Sequence, residues 1–203
     1  MTRLFKIVLI ILSFLTVQSS AKDGYRVQLK FTDVKDTMVY LAHYFGKPLP
    51  TIFKTDSVKL DKNGIGIMQG KEKILGGIYI IILEDKKTYF DVLLNNGDDI
   101  SITVSLRELP LGIKYANSPE NDYFMDYSRF IANYGQKQMG LEKQLQNAKT
   151  NTDSTKIKNK INDELKELNS FRNSIMSKHP QAMLTKVFKA MDVPVVPPGP
   201  HYL

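Results

Sequence analysis

The sequence predicts an α+β fold: an N-terminal antiparallel β-sandwich followed by an α-helical hairpin and a further short helix. Three observations carry that expectation. From Tyr25 to about Tyr115, short apolar-rich runs recur with turn residues between them. No stretch in that span has the helical period needed for parallel crossovers, which argues for a sandwich over an α/β sheet. From Asn117 onward the apolar residues recur instead in steps of three and four.

Taken in order, the chain opens with Arg3 and Lys6 ahead of an apolar run, Ile7 to Val17, too short to span a bilayer, and then the small residues Ser19, Ser20 and Ala21. This reads as a cleavable signal peptide over 1–21, and it places the mature chain in the periplasm or cell envelope. No cysteine follows the apolar run, so a lipid anchor there is excluded.

In "YRVQLKF", Tyr25, Val27, Leu29 and Phe31 share one face, with Arg26, Gln28 and Lys30 on the other. "TMVYLAHYF" follows the turn-like Asp33 to Asp36. In "DSVKLDKNGIGIMQG", Asn63-Gly64 has the residues a tight hairpin needs, because both turn positions must tolerate positive φ. "GGIYIIIL" predicts a strand covered on both faces, "TYFDVLL" the strand after the Glu84–Lys87 turn, and "DISITV" the strand after Asn95–Asp98.

A first helix is expected from Ser118 as N-cap and Pro119 at its first position, with Glu120 and Asp122 near the positive end of its dipole. Phe124, Tyr127, Ile131, Tyr134, Gln138, Leu141, Leu145 and Ala148 form its stripe, and Gly135 and Gly140 each weaken it by about 1 kcal/mol relative to Ala, inviting a bend. "TNTDS" reads as a polar link. Ile157, Ile161, Leu165, Leu168, Phe171 and Ile175 form the stripe of a second helix, so the two should bury each other as an antiparallel pair. A last helix restarts at Pro180. Residues 22–116 are thus expected to form the sandwich, 117–191 the helical segment, and 192–203 a Pro-rich linker or truncated tail.

Removing residues 1–21 leaves about 180 of the 203 residues, enough for one ordinary domain or two small ones. It also lowers the formal charge from +7 to +5. The lysines are dispersed along helical faces with no aromatic stacking platform, so nucleic acid is not an expected partner, and no membrane span is expected after signal cleavage. There is no cysteine, which excludes disulfides, a thiol nucleophile and a CxxC redox pair.

Motifs for chemistry fail on spacing. "GIGIMQGKEK" lacks the glycine five before Gly70 and the hydroxyl after Lys71 that a phosphate loop needs, and Gly66 to Gly70 is one residue too long for a dinucleotide loop. Glycines at a hairpin and at a close strand contact explain it. The oxygen-rich stretches 61–64 and 95–99 have neither the register nor the closing Glu of a calcium loop, and turn chemistry accounts for both. His43, His179 and His201 stand without ligand-spaced partners; His43 reads as a half-buried strand residue and His179 as a helix boundary. No Gly-x-Ser-x-Gly is present. Paired carboxylates that converge only on folding remain a minor hydrolase alternative. No catalytic, cofactor-binding or metal residue is therefore assigned, and no cofactor is expected. The candidate interaction surface is Tyr123 and Phe130, the two aromatics that fall off the first helix's stripe.

Three ordered stretches, "GGIYIIILEDKKTYFDVLLNNGDDISI", "NSPENDYFMDYSRFI" and "KHPQAMLTKVFKAMDVPVVP", resemble the N-terminal region of Bacteroidota-type TlpA-like envelope thioredoxin proteins. In that family an export signal precedes a β-sandwich, a Ser-x-Glu-Asn helix start, a long helical segment and then the thioredoxin fold with its CxxC. The resemblance covers the mature chain and implies a non-catalytic accessory module of a thiol–disulfide oxidoreductase. It also implies a fragment of the longer protein, because the family's redox residues are absent and none carries over. Its partners would be proteins: the missing thioredoxin domain, its substrates, or a second copy. A sandwich face or an edge strand would offer an extended peptide-binding surface. The alternative is a free-standing envelope protein that binds a glycan or a peptide.

Overall fold

The computed structural model describes residues 23–45 and 51–191; the expected signal peptide, the Pro-rich tail and His201 lie outside the described residues. The fold is α+β, 42% helix and 31% strand, with the strands preceding the three α-helices and a 3-10 turn, Leu106–Glu108, before the last strand. The strands are β1 (Tyr25–Phe31), β2 (Met38–Phe45), β3 (Thr51–Lys59), β4 (Ile65–Gly70), β5 (Gly77–Leu83), β6 (Tyr89–Leu94), β7 (Asp99–Val104) and β8 (Lys114–Ala116). The helices are α1 (Pro119–Gln146), α2 (Asn151–Lys178) and α3 (Met183–Met191).

The strands form two four-stranded sheets, ordered β4-β1-β7-β8 and β3-β2-β5-β6. One apolar core joins them: Val27, Leu29 and Ile102 from the first sheet meet Leu41, Ile81 and Val92 from the second. The alternation of β1 is as the sequence predicts, with Tyr25, Val27, Leu29 and Phe31 all buried. One pair departs from the antiparallel expectation: β1 and β7 run parallel. Strands 68 or more positions apart are not joined by a tight turn, so nothing forces them antiparallel.

The Asn63-Gly64 hairpin is corrected. Only Gly64 has positive φ, and the turn carries the chain from β3 in one sheet to β4 in the other. The Asp61 carboxylate accepts from the backbone N–H of Asn63 (2.7 Å) and Ile65 (2.8 Å), a side-chain turn that replaces the two-residue hairpin geometry. A Cβ at Gly66 would come within 2.9 Å of Val58, and one at Gly70 within 2.7 Å of the Tyr25 ring. The glycines of "GIGIMQG" thus serve close strand contact. Strand β3 starts at Thr51, earlier than the sequence reading placed it. β5 is covered along its inner face, where Tyr79, Ile81 and Leu83 are buried, and over the middle of its outer face, where Ile80 is 1% exposed; outward-facing Ile78 at the strand's start is 41% exposed.

Helix α1 runs unbroken through Gly135 and Gly140. Its predicted stripe is half-buried throughout, but the fully buried positions are Asn121 and Met125, on the side facing the sandwich. The link to α2 is shorter than "TNTDS" suggested. Thr150 caps α2 by accepting from the Asp153 N–H at 3.1 Å, so the helix begins at Asn151. Leu165 of the α2 stripe is 46% exposed, whereas Leu168 and Ile175 are buried. Helix α3 starts at Met183 and not at Pro180. The Glu120 carboxylate receives the Met183 N–H at 2.9 and 3.1 Å, so α1 supplies the anion that suits the positive end of α3. Arg172 binds the three helices together, donating to the Tyr127 hydroxyl at 2.7 Å and lying 5.7 Å from the Phe188 ring centroid.

Candidate functional site: a cleft at the β6 edge

The site is built where α1 meets the open edge of β6. Leu83 N–H bonds Thr88 C=O, which sets the phase of the β5–β6 ladder. The N–H and C=O groups of Tyr89, Asp91 and Leu93 consequently point away from β5, toward the edge. At Leu93 this edge is closed by a side chain. Asn121 accepts the Leu93 N–H at 2.8 Å and donates to the Leu93 C=O at 2.8 Å, reproducing the pair of bonds that a neighbouring strand would make. Its amide also donates to the Ser118 hydroxyl at 2.7 Å. Ser118 is the N-cap position by backbone, but its oxygen serves Asn121 instead of a helix N–H.

Past this clamp the helix and the edge diverge. They leave a cleft of about 410 Å3, within the size range of sites that take a side chain or small ligand. Pro110, Leu111 and Ile113 form one wall; Phe124, Tyr127 and Ile131 of α1 form the other. Both walls are apolar. Asp91 stands at the mouth, and among the described residues no hydrogen bond or ion pair reaches its carboxylate. The residue is exposed at the mouth, and desolvation by the apolar walls raises its pKa above the ordinary aspartate value. The Tyr115 hydroxyl donates to the Asp91 carbonyl over 3.4 Å. Burial, and then the charges of Asp91 and Asp122, push that phenol well above its usual range.

The other sheet edges are less receptive. β3 is long and largely exposed, but a bulge between Leu41 and Ala42 interrupts its register with β2. It also carries Lys54, and its Asp56 points inward to accept from the Tyr25 hydroxyl at 2.8 Å. Bulges, edge lysines and inward charges all discourage pairing with a further strand. β8 has three residues.

The two residues singled out in the sequence are engaged within the chain. The Tyr123 ring stacks on His179 with centroids 3.9 Å apart, and Phe130 stacks on Phe171 at 4.4 Å. Neither lines the cleft. His43 is half-buried, 3.0 Å from the Thr55 hydroxyl and edge-on to Tyr79; His179 caps the end of α2. The side-chain oxygens of the turn at 95–99 are engaged within the chain: Asp98 accepts the Asn95 N–H, Asn96 accepts from the Gly24 and Ile74 N–H groups, and Asp99 pairs with Arg26 at 2.9 Å. Among the described residues no three His, Cys, Asp or Glu side chains gather as a metal site, and no helix is long and apolar enough to cross a membrane.

Sequence reasoning missed Asp91 and Asn121. Asp91 left a faint signal, being the sole charge in "TYFDVLL", a strand where aspartate is disfavoured. Asn121 left none, since a polar residue in a helix's first turn is ordinary. The chain matches no protein-family model, and a search of curated proteins returns no significant match.

Proposed function

We propose that the chain is a non-catalytic binding module of the cell envelope that contacts protein partners through the cleft at the β6 edge. The single observation that supports this most is the apolar cleft beside partly open strand edge, a combination suited to an extended segment of another protein. The resemblance to TlpA-like envelope proteins adds the kind of partner: a thioredoxin-like domain or the proteins that such a domain acts on. Without a cysteine the chain has no thiol to exchange, so its part in such a system is holding and positioning.

A second reading has its own observation. Tyr44 and Tyr89, on the outer face of the second sheet, are 51% and 58% exposed, and open aromatic rings suit the apolar face of a sugar. The two readings separate in one experiment, in which the purified mature chain is titrated against an array of unstructured peptides and a panel of envelope glycans. Saturable peptide binding with no glycan binding is the expected result. Glycan binding alone would favour the second reading, and binding to neither would remove both. Turnover of insulin disulfides by the pure chain would overturn the non-catalytic assignment outright.

A further inference from the structure

Resting on the binding-module reading, we infer that the cleft takes one particular chemistry: an extended peptide with an aliphatic side chain next to a lysine or arginine. The aliphatic group enters between Leu111 and Ile131, and the cation rests on the Asp91 carboxylate. Three features converge on this occupant. The walls are hydrocarbon and offer a bound group contact area with no hydrogen bonds to satisfy. The edge-directed N–H of Asp91 borders the same opening and can pair with a peptide carbonyl, while the Asp91 C=O accepts from the Tyr115 hydroxyl. The one carboxylate at the mouth is unpartnered among the described residues, although the chain as a whole is basic, +7 by formal charge. Asp91 is exposed at the mouth, so an incoming cation reaches its carboxylate without being buried itself. Asp122, which acts on Tyr115 alongside Asp91, adds negative potential on the same side. Arg129 of α1, which reaches the Leu111 wall, is already committed to Asp126 at 3.2 Å and to the Leu111 carbonyl.

The test uses two fluorescein-labelled peptides, Gly-Ile-Lys-Leu-Gly and its analogue with norleucine for lysine, read by anisotropy against the full mature chain. The lysine peptide should bind saturably and about threefold to fivefold more tightly than the norleucine peptide, a gap typical of one exposed charge pair. Asp91→Asn should bring the lysine peptide down to the norleucine level and leave the norleucine peptide unchanged. The same variant should melt no lower than the parent at pH 7, since it removes an unpaired charge; a carboxylate with a purely structural role would lower the melting temperature instead. Leu111→Ser should weaken both peptides alike. Equal affinity of the two peptides for the parent chain, or full retention of lysine-peptide binding in both variants, would overturn this site. In the second case binding elsewhere on the molecule would leave the module reading standing. A concentration-dependent dimer that occludes the cleft, or competition by n-hexylamine as strong as by the peptide, would also overturn it, in favour of a second copy or a small amine.

Discussion

Asn121 shows how much one side chain can carry. Its amide closes the β6 edge, is wholly buried, and ties α1 to a strand 28 positions earlier. Replacing it with Ala leaves the Leu93 N–H and C=O without partners in a dry site, and an unsatisfied buried group costs about 1–3 kcal/mol. Asn121→Ala should therefore lower unfolding free energy by about 2–3 kcal/mol in urea titration, whereas a loss under 0.5 kcal/mol would mean that the edge is held by packing alone. Asp98 has the opposite sign. Burial, with Glu120 nearby, raises its pKa above 3.8, against the partial relief of the Asn95 N–H. A carboxyl whose folded pKa is raised contributes most below its unfolded pKa, and that contribution is lost as pH rises through the folded value. Asp98→Asn keeps an acceptor for Asn95 and removes the charge. It should melt higher than the parent at pH 7, with the gain vanishing toward pH 3.5; a gain that grows on acidification would contradict the assignment.

At the scale of elements, the sequence disclosed which segments are strands and helices far better than how they meet. The period-two pattern of β1 and the Ser118-Pro119 start of α1 are local signals, and local signals survive folding. The sheet change at Gly64, the parallel β1–β7 pair and the Glu120 contact to α3 depend on residues distant in sequence, where a periodic pattern is silent. The same limit hid the cleft. Its walls come from 110–113 and α1, and each wall alone reads as ordinary apolar sequence. Where local reasoning was strong it also yields a prediction. Gly135 and Gly140 sit inside an intact α1, and a Cβ at either would meet nothing within 4 Å. Gly135→Ala and Gly140→Ala should each stabilise the chain by about 0.5–1 kcal/mol, through helix propensity and a less free unfolded chain. A destabilising result at either position would mean that the helix needs its glycine for a contact that forms only with a partner.

On the scale of the whole molecule, two populations of carboxylates occupy different regions. Asp33, Asp61, Glu84 and Asp85 sit at turns of the sandwich. Desolvation, the largest single influence at Asp33, is outweighed there by several hydrogen bonds together, and hydrogen bonds from nearby N–H and hydroxyl groups likewise hold the other three below their ordinary values. Such groups contribute stability above their unfolded pKa, and that contribution is lost as pH falls through the lowered folded value. Asp91, exposed at the cleft mouth, and half-buried Asp98 flank the junction between sandwich and helices, and desolvation raises both; acid relieves them. Lowering the pH from 5 to 3 should therefore loosen the two halves unequally. The turns at 61–65 and 84–88 should lose amide protection first, while the Leu93 amide held by Asn121 keeps its protection longer. Hydrogen exchange followed by mass spectrometry across that range separates the regions. If the Leu93 segment opened before the turns, the junction would have to be held by ionised carboxylates, which is the reverse of what their surroundings imply.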